Sequence, residues 1–366
     1  MRRDFWIGIF IGLAVFGLAI YFRSPRADSA LPKDSTVPAT NRYAMPRLPA
    51  PRLSGSTEPA EPLGNSPTNL LAMLMDKQTN VSVRVSVEQL RDYLDKNHRS
   101  VESLLGAYRA SRDESLLKEA EEKYPNDPRV AFDAAFFGAP EERRKWLDAL
   151  KQSAPDNALA NYLSAADYFK SGQNDLALQE LASAGSKGYA DYSRDFIQNS
   201  DEAFQAAGYS RADAQIIAGA DLLLPHLSQL KQDGVNLVDL AKSYQQSGDT
   251  ASAQAALQMA MSLGQRLNQA DAQTVIDSLV GIAVERLVLG AMDPNDPNVQ
   301  SQVAALIQQR EAWRDLSRQG DKILTTLSDE EAAVYFERWK MFGAQSALQW
   351  LVNKYGEPVS NVAPAQ

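Results

Sequence analysis

Apolar side chains recur at three- and four-residue steps through Leu159, Tyr162, Leu163, Ala166 and Phe169, the period of one helix face. Pro155, Asp156 and Asn157 punctuate the chain just before this run and offer capping oxygens to a new helix. Gly172 supplies a stop, and Leu176, Ala177, Leu178, Leu181 and Ala184 carry a second amphipathic helix. A hairpin of two such helices leaves an apolar side uncovered, so the pattern predicts that neighbouring hairpins stack on it.

The same pattern returns downstream. Ala165, Tyr168, Gly172, Ala177, Leu181 and Ala184 reappear 76 residues later as Ala241, Tyr244, Gly248, Ala253, Leu257 and Ala260. Small residues permit close helix approach, the Tyr and Leu fill the gap between hairpins, and the Gly turns the chain. This pattern resembles the tetratricopeptide repeat over 155–188 and 234–264, with Pro155 where a preceding unit would end. The resemblance implies an all-α fold of stacked antiparallel helical hairpins, an irregular solenoid, because the offset is not a whole number of repeat units. On that resemblance Tyr162, Phe169 and Lys170 of the first unit, and Lys242, Gln245 and Gln246 of the second, face a groove that binds a protein partner.

Flanking segments read as variants of the same theme. Ser86 and Gln89 form a capping box ahead of Leu90, Tyr93 and Leu94. Asp127 caps a helix opened by Pro128, and Ser328 with Glu331 caps another. Between the two clear repeats, Tyr192–Ala207 and Ala212–Leu230 are predicted helices, the second kinked at Pro225. Ala272–Leu289, Val299–Arg318, Asp329–Lys340 and Ala344–Tyr355 complete the helical set, and no sheet is predicted.

The amino-terminal end follows a different pattern. Phe5 to Phe22 form 18 positions without a charge, bounded by Arg2 and Arg3 on one side and Arg23 and Arg26 on the other. As a helix this run spans roughly 27 Å at about 1.5 Å per residue, close to a bilayer core, with Trp6 and Tyr21 as interfacial anchors. It reads as a transmembrane anchor. The competing reading, a cleaved signal peptide, is opposed by the length of the run and by the poor cleavage site in RSPRADSA. From Arg23 to Pro67 nine of the chain's 18 prolines occur with Tyr43 as the only aromatic, a composition that cannot offset its ordering entropy. The segment reads as a tether with an upper reach on the order of 140 Å at about 3.1 Å per residue.

The expected organisation is therefore an anchor at 1–22, a Pro-rich tether at 23–67 and a connecting segment at 68–85. A helical repeat domain at 86–290, a helical extension at 291–356 and a polar tail at 357–366 follow. Charge divides along the same boundary: residues 1–85 carry net +4 and the remainder net −13. An acidic body repels phosphate backbones, so no nucleic-acid partner is expected.

Candidate chemistry is sparse. The chain has no cysteine, which removes disulfides, thiol nucleophiles and Cys-ligated metals. Its two histidines, His98 and His226, lie in no metal-ligand spacing; they read as a helix-end residue and a packed or surface residue. No phosphate loop, dinucleotide fingerprint or nucleophile elbow occurs. The expectation is a non-enzyme with no cofactor and no metal: a protein-interaction adaptor. The resemblance is to bacterial membrane-anchored tetratricopeptide proteins. It implies an inner-membrane protein held in the bilayer through residues 5–22, and the very short amino-terminal tail places the body outside the cytoplasm. Two rivals stand beside it: a self-associating structural spacer whose groove is filled by the carboxy-terminal helices, and an accessory enzyme of the cell envelope.

Overall fold

The computed structural model describes residues 83–269 and 274–356. The predicted anchor at 5–22, the Pro-rich tether, all but the end of the connecting segment and the tail at 357–366 lie outside the described residues. Among the described residues the fold is all-α, and no helix is long and apolar enough to cross a membrane.

The helices follow in order as α1 (Val87–Lys96), α2 (Val101–Ser111), α3 (Glu114–Lys123), α4 (Pro128–Phe137), a short 3-10 turn (Pro140–Glu142), α5 (Arg143–Ser153), α6 (Ala158–Lys170) and α7 (Asn174–Ala184). Then come α8 (Ser193–Ala206), α9 (Arg211–Ala220), α10 (Pro225–Gln246), α11 (Thr250–Leu267), α12 (Val275–Leu289), α13 (Pro297–Leu324) and α14 (Asp329–Tyr355). Their ends are where the side chains dictate. The Ser86/Gln89 and Ser328/Glu331 capping boxes both form, and Asp127 accepts from the Arg129 amide ahead of Pro128. The repeated glycines Gly172 and Gly248 hold φ of 73° and 83°, left-handed values that explain why the repeat places Gly after its first helix.

One predicted element is corrected. Pro225 does not kink a helix running from Ala212 to Leu230; the chain leaves α9 at Ala220, and Pro225 opens the separate helix α10. Proline lacks the amide a helix interior needs, whereas the first turn has no use for it. At the other end, the break between the two predicted carboxy-terminal helices is a single residue, Gly343, at φ 82° and ψ 164° within α14.

From α1 to α7 each helix packs on the next, and α10 with α11 forms a second prominent pair. The α10 helix packs against α6, so the two sequence repeats meet through their first helices although α8 and α9 intervene in the chain. Those two helices fold elsewhere: α8 docks on α2, while α9 packs on α8 and on α14. The α14 helix also pairs with α13, which rests on α12.

Candidate functional site

The part of the predicted groove at Tyr162 is covered by the chain's own segment after α7. Gly188 accepts a hydrogen bond from the Ala158 amide (2.7 Å), and Asn157 of the α6 cap bonds the Ala190 backbone on both sides. The Tyr189 ring then lies 6.5 Å from that of Tyr162 of α6, tilted by 47°. Further on, Tyr192 and Phe196 each lie 5.6 Å from Phe132 of α4, and the Arg109 guanidinium of α2 sits 3.5 Å over the Phe196 ring. Finally Asn199 meets Gly106 of α2 backbone to backbone. Residues 188–199 thus cross α6, α4 and α2 in turn.

The sequence-predicted groove residues divide by burial. Tyr162 is buried against Tyr189 and belongs to the interior. Phe169 is half-buried, while Lys170, Lys242, Gln245 and Gln246 are exposed at the carboxyl ends of α6 and α10. Among the described residues, the element seen against Tyr162 and Phe132 is the internal segment that carries Tyr189 and Tyr192.

Where the covering segment meets α10 and α12, three polar side chains converge. Asp191 on the segment, His226 in the first turn of α10 and Asp277 in the first turn of α12 bring their ligand atoms within 4.8 Å of one another. His226 is 2% exposed and Asp277 1% exposed, and the Asp191 side chain is as enclosed. One oxygen of each carboxylate is tied locally. Asp191 Oδ1 accepts from the Ser193 amide (3.0 Å) and hydroxyl (2.6 Å). Asp277 Oδ2 accepts from the Thr274 amide (2.7 Å) and hydroxyl (2.9 Å) in a capping box. The other oxygen of each, both nitrogens of His226 and the Tyr189 hydroxyl are buried without a hydrogen-bond partner. His226 Nε2 stands 3.7 Å from Asp191 Oδ2, ion-pair distance but too long for a hydrogen bond.

The electrostatics of the two acids differ. Burial, reinforced by the charge of Asp191, raises the Asp277 carboxyl to about 7. Burial acts the same way on Asp191, but the imidazole of His226 and the Ser193 hydrogen bonds outweigh it and bring that carboxyl below its ordinary value. Such a cluster can share a proton or hold a cation; it is closed to solvent. No local pattern marks it, because the three residues come from three separate segments. From the sequence, His226, directly after Pro225, reads as a packed or surface residue.

A second buried acid stands apart. Asp233 of α10 is fully enclosed with both oxygens lacking hydrogen bonds, and burial pushes its carboxyl well above the ordinary range, opposed only by the charge of Lys170. A raised native value means that stability is greatest below the unfolded-state value of about 4 and falls as pH rises towards the native one. Asp233→Asn is therefore expected to raise stability at neutral pH, on the order of 1–3 kcal/mol, and to flatten the decline between acid and neutral pH. Urea unfolding of both proteins across that interval checks it, and equal slopes would refute it.

The outer surface carries one unusual patch. Met341 and Phe342 are each 54% exposed beside the Gly343 break, with Val334 on the same helix face. The Arg338 guanidinium lies 5.2 Å over Phe342 and 4.7 Å over Trp350, and Lys354 lies over Trp350 and Tyr355 at 5.0 and 4.7 Å. Gln345, Ser346, Gln349 and Asn353 line an open hollow with Trp350. No family model, curated protein or solved structure matches the chain.

Proposed function

We propose that this chain is a membrane-tethered protein-interaction scaffold, built on stacked helical hairpins of the tetratricopeptide kind, without turnover of its own. Its partner docks on the carboxy-terminal patch rather than on the α2–α4–α6 face. The observation carrying this reading is the exposed pair Met341 and Phe342 beside Arg338 and Trp350. Met, Phe, Trp and Arg are the residue types enriched at the cores of protein interfaces, and two large apolar side chains more than half exposed gain most from being covered. The cations stacked on the rings favour a partner segment that offers an apolar anchor flanked by acidic side chains. The apolar run at 5–22 and the Pro-rich segment behind it support the tether, which would raise the partner's effective concentration near a bilayer.

A photo-reactive residue placed at Phe342, at Lys242 or at Glu88 in intact membranes tests this. A discrete heterologous adduct at Phe342 alone is expected, and Phe342→Asp should abolish co-purification of that partner by at least tenfold without changing the melting temperature. An adduct at Lys242 alone would return the contact to the ends of α6 and α10. Adducts only to a second copy would instead support the self-assembling spacer.

A further inference from the structure

We propose that Asp191, His226 and Asp277 form a binding site for one divalent cation of the zinc type, which pins the covering segment to α10 and α12. The site goes beyond the scaffold reading and departs from the expectation of no metal. Three donor atoms within 4.8 Å of one another need to close only modestly to surround one ion. The donors also face inward already. Each carboxylate has one oxygen held by a backbone cap and the other without a hydrogen bond, so both acids are oriented before any ion arrives.

The independent observation is His226. It is 2% exposed, and neither of its ring nitrogens has a hydrogen-bond partner, an arrangement that ordinarily costs a buried imidazole its place. A metal ion supplies the missing partner for one nitrogen. Charge closes on the same count, since two carboxylates, a neutral imidazole and a divalent cation sum to zero in a site closed to water. The mix of one nitrogen and two oxygen donors suits zinc or a similar transition ion better than calcium, which takes six to eight oxygens, or magnesium, which keeps most of its waters.

The ligands also tie together what the fold must hold together. Asp191 is on the segment that covers α6, α4 and α2, His226 opens the helix packed on α6, and Asp277 opens the helix packed on α10. An ion here would act as a structural clamp between elements that share no covalent crosslink, since the chain has no cysteine.

The test uses the full chain in detergent, stripped with chelator and titrated with zinc alone. One equivalent is expected to bind, with the melting temperature rising by several degrees for zinc and not for magnesium at the same concentration. Cobalt in place of zinc should give visible absorption bands of a low-coordinate site. His226→Gln and Asp191→Asn should each weaken zinc binding at least a hundredfold, while His98→Gln, the only other histidine in the chain, leaves it unchanged. Circular dichroism establishes that each variant is helical; if His226→Gln is not, Asp191→Asn decides, because its amide oxygen can still accept from Ser193. No stoichiometric zinc in the wild type, or equal binding in both site variants, would overturn the proposal.

Discussion

Asp133→Ala is expected to destabilise the fold by about 3–5 kcal/mol, among the largest single effects in the molecule. Asp133 on α4 is fully buried and pairs with the Arg109 guanidinium of α2, itself only 4% exposed. Burial raises the Asp133 carboxyl and lowers the Arg109 guanidinium, with each partner's charge opposing the shift. Arginine stays protonated in proteins, so deleting the acid leaves a cation in a dry interior without its counter-charge, against the face of Phe196. The pair itself is a weaker contributor than this number suggests. Arg109 Nε and Asp133 Oδ2 have no hydrogen-bond partner, so the desolvation of both ions is incompletely offset. The double variant Arg109→Met with Asp133→Ala is therefore expected to lie within about 2 kcal/mol of wild type, far above the single variant. Urea unfolding of the complete cycle measures the difference. A single variant within 1 kcal/mol of wild type, roughly the value of an exposed pair, would mean that water reaches this site.

Local elements were legible because local chemistry sets them. The capping boxes at Ser86 and Ser328, the Asp127–Pro128 start and the glycine stops at Gly172 and Gly248 all depend on residues within one turn of each other. Periodicity likewise placed Leu159, Leu163, Leu181 and Leu257 in the core. What the pattern could not contain is which helix meets which. Ser193–Ala206 carries an ordinary amphipathic stripe, with Phe196, Ile197, Ala203 and Phe204 buried, and nothing in that stripe names α2 as its target. The matching surface is a glycine far away in the chain. For the same reason the sequence assigns Tyr162 to an open groove: the repeat resemblance implies a groove on that face but says nothing of Tyr189, which occupies the space. The Asp191–His226–Asp277 cluster was invisible for this reason too, since proximity there is created by the covering segment and not by spacing.

Replacing Gly106 by leucine should expel α8 from its seat and cost more than about 4 kcal/mol. Gly106 is the point where α2 and α8 approach backbone to backbone; a Cβ placed there would collide with the Asn199 carbonyl oxygen and stand 2.8 Å from its carbon. Two opposing effects set the sign. Alanine at a helical position gains about 1 kcal/mol over glycine in propensity. Overpacking costs about 1–3 kcal/mol when flexible side chains can yield, and more when the obstruction is backbone, which cannot rotate away. Gly106→Ala should therefore be destabilising by about 2 kcal/mol despite its better helix propensity, and leucine, with three further carbons aimed at the same contact, by considerably more. The α8 helix is also held by Lys340 on Asp201 (2.7 Å) and by the aromatic contacts of Phe196, so partial retention is expected in the alanine variant and loss in the leucine one. Hydrogen exchange separates this local effect from general unfolding: amides of 193–206 should lose protection first, while those of the α10–α11 pair, which α8 does not touch closely, keep theirs until global denaturation. Equal protection of 193–206 in Gly106→Leu and wild type would show that α8 is not seated on α2 at this residue. If exchange is confined to 193–206, the variant uncovers α2 alone, and Tyr162 stays covered because Tyr189 is held separately by the Ala158–Gly188 and Asn157–Ala190 hydrogen bonds.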